Sequence, residues 1–108
     1  MVDRVLPALS LGEVVASTKV NRRGLTDAAY RRWVGQAVYR HMSCCWGEVP
    51  AAVSENNFAS VLLGGHIVSR WPYENDALII VQDDAHMHTA VMLESEGAYD
   101  ISGPSKEV

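Results

Sequence analysis

Cysteine is scarce and badly placed for cross-linking: the 108-residue chain has two, Cys44 and Cys45, side by side. Neighbouring residues rarely reach disulfide geometry, so no covalent staple is expected, and reduced thiols in a cytoplasmic setting are the natural reading. Long apolar runs are also missing, with nothing near the ~20 residues a membrane span requires. The stretch from Met1 to Val15 is interrupted by Asp3, Arg4 and Glu13, which argues against a signal peptide. Positive charge is in the minority, nine Lys and Arg against thirteen Asp and Glu, for a net charge of −4. Unspecific binding to nucleic acid, which needs many cations to displace counterions, is therefore disfavoured. No internal repeat is present, which removes solenoids and propellers. Neither a GxGxxG nor a GxxxxGK[ST] phosphate loop occurs, nor an HExxH, a paired CxxC or an EF-hand spacing.

What is present reads as one globular domain. An apolar fraction of 48% with 20% charged residues is far from the disordered class. A chain of this size buries roughly 60–70% of its unfolded surface, enough for a core without staples. Leu9 to Ser17 carries Val14 and Val15 after Gly12 and predicts a short strand. The polar segment up to Gly24 reads as a loop. Thr26 and Asp27 offer a helix N-cap. From there Tyr30, Trp33, Val34, Ala37, Val38, His41, Met42 and Cys45 recur at helical spacing, predicting an amphipathic helix that ends near Ser43 to Trp46. A second helix is expected from about Ser54 to Leu63, with Gly64 and Gly65 as its stop and an earlier start at Pro50 left open.

Beyond Gly65 the period changes to two. His66 to Tyr73 predicts a strand placed at a sheet edge, or ended, by Pro72. Ala77 to Val81 is apolar throughout and predicts an internal strand covered on both faces. His88 to Leu93 supplies the last strand, and turns are expected at Glu74–Asp76 and at Gln82–Met87. The expected fold is α+β: a short N-terminal strand, two helices, then a three-stranded antiparallel meander. Residues 1–93 would form the domain and residues 94–108 a disordered tail. With the first strand able to cover one edge of the meander, homodimerisation through the remaining edge is expected.

Several stretches are similar to a family of short uncharacterised proteins of bacterial plasmids and integrative elements, the "plasmid-related" proteins. They are Leu11-Gly12-Glu13-Val14-Val15-Ala16-Ser17-Thr18, then Arg40-His41 followed by Trp46-Gly47, then Asn57, Gly64-Gly65 and Ile67-Val68-Ser69, and finally Asp84 and Thr89 within Ile80 to Leu93. Charged positions of the family pattern are replaced here by Cys45, Ser54, Gln82 and Ala85. The resemblance implies an accessory protein of a mobile element and names no substrate.

Three groups of residues could carry chemistry. Arg22, Arg23, Arg31, Arg32 and Arg40 cluster in one stretch after Lys19. They read as a solvated helix face or, for Arg31, Arg32 and Arg40, as a docking surface for an acidic partner. Asp83, Asp84, His86 and His88 follow the internal strand. If His86 and His88 are extended they share a face and, with Asp84, could hold a transition metal. A polar hairpin turn with exposed histidines is the plainer reading. His41 with Cys44-Cys45 could activate a thiol, but a buried cysteine beside a core histidine is the commoner arrangement.

No catalytic residue and no cofactor is assigned. The expected function is a small non-enzymatic protein of a mobile genetic element that binds and modulates another protein. The alternatives are a metal-assisted hydrolase or nuclease, with His66 as a remote helper, and a nucleic-acid-binding accessory protein, possible on the basic helix and not favoured by the net charge.

Overall fold

A computed structural model describes residues 10–83 and 86–99. It contains β1 (Glu13–Ala16), α1 (Thr18–Thr26), α2 (Ala28–Met42), α3 (Ala51–Leu63), β2 (Ile67–Tyr73), β3 (Asp76–Gln82), β4 (His88–Leu93) and a closing 3-10 turn (Glu94–Glu96). The class is α+β, as the sequence predicts. The strand order differs from a plain three-stranded meander: the sheet has four strands in the order β1-β4-β3-β2. β2, β3 and β4 pair antiparallel, and β1 lies parallel to β4 with Val14 opposite Thr89.

The segment read as a polar loop is α1. Its one buried residue is Val20, too thin an apolar stripe to register as a period in the sequence. Local capping builds it instead. Ser17 accepts from the Val20 amide at 3.3 Å, and the Asn21 side chain donates to the Ala16 carbonyl at 3.1 Å. Asp27 then serves two helices. Its N–H closes α1 on the Arg23 carbonyl, while its carboxylate accepts from the Tyr30 amide at 3.0 Å and starts α2. The Tyr30 amide, and after it the Arg23 guanidinium, hold the Asp27 carboxyl below its ordinary pKa.

α2 stops earlier than its apolar spacing predicts. Cys44 adopts φ 66°, and the amides of Cys44 and Cys45 turn back onto the carbonyls of His41 and Arg40. This is a Schellman ending with cysteine in the left-handed position that glycine usually fills. The consequence is that Cys44 is buried and Cys45 exposed, the reverse of the stripe read along the sequence. α3 starts after Pro50 and ends at Gly64, whose φ of 83° is the expected left-handed stop.

The sheet is covered on both faces. Under α1 and α2 lie Val20, Tyr30 and Ala37 against Leu78, Ile80 and Val91. Under α3 lie Val53, Val68 and Ile79. Ala77 to Ile80 of β3 are fully buried, as expected of an internal strand. Trp46, Cys44 and Ile67 pack together at one end. Trp46 thus joins the core, while Trp33 and Trp71 pack against it partly buried.

The edge of β2, the one expected to be free, is occupied. Arg70 donates to the Trp46 carbonyl at 3.0 Å and accepts from the Glu48 amide at 2.8 Å. This approach demands Gly47, since a Cβ there would stand 2.0 Å from the Arg70 carbonyl oxygen and φ is 68°. Next to it the Asn57 side chain takes the part of a neighbouring strand. Its amide nitrogen donates to the Val68 carbonyl at 2.7 Å and its oxygen accepts from the Val68 amide at 3.0 Å. Pro72, without an N–H, sits on this same strand, where the sequence placed it. Among the described residues nothing pairs with the outer edge of β1, where Val14 and Val15 are exposed.

The expected tail begins as structure. Glu96 accepts from the Ser17 hydroxyl at 2.8 Å and from the Leu93 amide at 2.7 Å, tying the 3-10 turn to the neighbouring C-terminal ends of the parallel strands β1 and β4. The tail's remainder, residues 100–108, lies outside the described residues.

Candidate functional site

The arginine cluster divides. Arg23 is turned inward: its guanidinium meets both oxygens of Glu74 at 3.0 Å and stacks over Tyr30 at 4.3 Å and Tyr73 at 5.2 Å. With Trp33 against Tyr73 at 4.4 Å, it closes an aromatic cluster at the joint of α1, α2 and the β2–β3 turn. Arg31, Arg32 and Arg40 are exposed on α2. Arg31 caps the Gly24 carbonyl at 2.5 Å. Arg32 and Arg40, two helical turns and about 12 Å apart, border a shallow depression with Gly35, Gln36 and Tyr39. Tyr39 is 68% exposed at its centre. Among the described residues neither Arg32 nor Arg40 has a carboxylate within ion-pair distance. The acidic groups gather elsewhere: Glu48, Glu74, Asp76 and Glu94 rim a separate surface around Arg70. Helix geometry thus produces a basic, tyrosine-centred face on an acidic protein.

The predicted metal residues are placed as follows. Asp84 lies outside the described residues. His88 is on β4 and exposed, its Nδ1 at 2.8 Å from Asp83 Oδ2 and its Nε2 at 3.9 Å from Glu13. Asp83 also accepts from the amides of Met87 and His88, and these contacts hold its carboxyl below the ordinary range, that with the His88 side chain most. His86 is not extended: its φ is 57°, so it does not share a strand face with His88. Its Nε2 is buried without a hydrogen-bond partner. No group of three potential metal-binding side chains occurs among the described residues. His66 stands at the entrance of β2, in the wall of the cavity beneath α3.

The expectation of a core histidine holds at His41. It is 0% exposed, on the inner face of α2. The direction is anchored at Gln82, whose amide nitrogen donates to a carbonyl and whose oxygen can only accept, so His41 Nε2 carries a proton; with Trp71 donating at the other end, a neutral imidazole gives every group a partner. The indole N–H donates to Ser69 Oγ at 2.8 Å; the Ser69 hydroxyl donates to His41 Nδ1 at 2.7 Å; His41 Nε2–H donates to Gln82 Oε1 at 2.7 Å; and the Gln82 amide donates to the Ser10 carbonyl at 2.8 Å. With a neutral imidazole carrying its proton on Nε2 the Ser69 hydroxyl is used as donor and acceptor alike, and burial favours that neutral form. Burial lowers the His41 pKa from 6.5 to about 4, with the neighbouring His86 acting in the same direction. Ser69 and His41 make a serine–histidine pair that no substrate can reach, since both are 0% exposed. The Cys44 thiol is pushed up by burial, away from a reactive thiolate.

Sequence reasoning missed Ser69, Gln82 and Asn57. The signal for each was a polar residue interrupting an apolar stripe, visible at Ser69 between Ile67 and Trp71, and indistinct at the other two positions. No protein-family profile, curated protein or solved structure matches the chain.

Proposed function

We propose that the protein is a small, non-enzymatic interaction protein of a mobile genetic element, and that it docks an acidic partner protein through the outer face of α2. The mobile-element setting rests on the resemblance to plasmid-related proteins, and a cytoplasmic one suits two free thiols. The observation that carries the docking reading is the pair Arg32 and Arg40, without counter-charges, flanking a largely exposed Tyr39. Tyrosine and arginine are the residue types over-represented where binding energy concentrates. Uncompensated charge of one sign on a protein of opposite net charge steers association with a complementary surface. Self-association belongs to the same reading: a second copy adds to the open edge of β1, the one described sheet edge that no other segment seals.

Affinity capture from host lysate, with wild type beside the Arg32→Glu/Arg40→Glu double variant, tests the proposal. The expected result is one stoichiometric protein retained by wild type, unaffected by nuclease and lost from the variant. Retention by the variant overturns the proposal. A signal abolished by nuclease transfers the face to nucleic acid.

A further inference from the structure

We propose that the cavity between α3 and the start of β2 is a binding site for a small uncharged molecule with an apolar body and one amide-type hydrogen-bonding group. It lies across the sheet from the arginines of α2, so it stands or falls separately from the docking reading. The cavity measures about 380 Å³, within the range of small-molecule sites. Val53 and Val68 form an apolar floor, and Tyr99 and His66 stand at its margins. Among the described residues no lysine, arginine, aspartate or glutamate lines it, in a chain of which 20% is charged. A phosphate or carboxylate entering such a wall would lose its hydration with the His66 imidazole as the sole cationic candidate among the described lining residues, and an ammonium group would meet no carboxylate there, which disfavours both charged classes.

Two observations mark the place of the ligand's polar group. Ser60 is 5% exposed and makes no side-chain hydrogen bond among the described residues; its hydroxyl is not one of the sealed-off orphan atoms, which there are Trp46 Nε1 and His86 Nε2, so it opens on the cavity it lines. A serine on the inner side of a helix ordinarily finds a partner, commonly the carbonyl one turn back. Ser60 instead presents Oγ beside Gly65, in the lining of the same cavity. Gly65 has no positive φ to require glycine, but a Cβ there would stand 2.8 Å from Ser60 Oγ and would turn that hydroxyl out of its present place. The pair keeps an unused hydroxyl clear at the cavity wall. The amide of Asn57, by contrast, is committed to Val68 on both sides and is unavailable. The exposed amide of Asn56 supplies a second polar contact at the rim.

The experiment is a ¹H–¹⁵N titration of the full chain with three probes of one shape: benzamide, benzoate and benzylammonium. Benzamide is expected to give saturable shifts centred on Val53, Ser60, Gly65 and Val68, and the charged probes are expected to bind at least ~10-fold more weakly. Ser60→Ala removes a hydroxyl that has no partner, so the fold should be kept or slightly stabilised while benzamide weakens ~5-fold, the loss of one neutral hydrogen bond. Absence of saturable shifts at these four positions overturns the proposal. So does equal binding of the three probes, and so does unchanged benzamide affinity in a folded Ser60→Ala protein.

Discussion

Beneath α1 and α2 the buried polar chain from Trp71 through Ser69, His41 and Gln82 to Ser10 is closed at every link. Beneath α3 one polar residue, Asn57, is committed on both sides, and another, Ser60, makes no side-chain hydrogen bond among the described residues and opens on the cavity. The first face also carries the aromatic cluster and has two helices to cover it. The second has one helix, a cavity, and Leu62 and Leu63 pointing away from the protein. Closure of buried polar groups costs ordering entropy and rewards a single arrangement. Where closure is incomplete, the missing partner is free to be a ligand. The difference separates a face that specifies the fold from a face that has capacity left over.

The largest effect is expected where the open face is nevertheless sealed. Asn57→Leu removes both bonds to Val68 and leaves a buried N–H and C=O unpaired, for a loss of about 3 kcal/mol in urea unfolding. A loss below about 1 kcal/mol would mean that water reaches the β2 edge and that the sealing role assigned to Asn57 is wrong.

On the closed face the comparable effect is driven by acid. His41 has its folded pKa depressed to about 4 from the ordinary 6.5, so it stays neutral in the native protein over a range where the unfolded chain takes up a proton. Its contribution is fully present above pH 6.5 and is lost as pH falls through that value toward 4. The full window corresponds to about 3 kcal/mol. Imidazole ¹⁵N spectra should show the neutral Nε2–H tautomer persisting at pH 5. Protonation near pH 6.5 would break the directional chain and with it the contrast between the faces.

Much of this contrast was hidden from the sequence, and the reasons are local. Strong periodicity carried α2, β3 and β4, since each has enough apolar residues to declare a period. α1 did not declare itself because one buried valine cannot form a stripe; its evidence was the capping chemistry of Ser17, Asn21 and Asp27. The parallel pairing of β1 with β4 depends on contacts far apart in the chain, which no local pattern encodes. Of the candidate site, the exposure of Arg31, Arg32 and Arg40 followed from helix phase. Arg23, in the same run of charge, turned inward because Tyr30, Tyr73 and Glu74 converge on it. The extended geometry imagined for His86 failed on a single left-handed residue.

A smaller effect tests how the closed face ends. Cys44 holds a left-handed conformation while its side chain packs with Trp46 and Ile67. Cys44→Ala keeps the conformational cost and loses the sulfur contacts. Cys44→Gly loses the same contacts and relieves the cost. The glycine variant should therefore be the more stable of the two by about 1 kcal/mol, read from paired thermal or urea melts. Equal stability would show that α2 relaxes its last turn when the cysteine is replaced, so that the Schellman ending is a consequence of the packing of Cys44 and not its cause.

The smallest effect belongs to the outer surface of α3. Leu62 and Leu63 are 85% and 83% exposed, so replacing both by serine removes almost no buried apolar area. The expected change in unfolding free energy is within about 0.5 kcal/mol, at every protein concentration. That near-zero is informative because α3 holds the cavity from its other side. If the double variant is unaffected, α3 is fixed by its inner contacts, Val53, Asn57 and Val61 with Phe58 on Trp46, and the cavity geometry belongs to the isolated chain. If stability instead falls, and falls more at high protein concentration than at low, the two leucines are covered in solution by another copy. The open face would then be an assembly surface, and its spare capacity would be shared between a neighbour outside the helix and a small molecule beneath it.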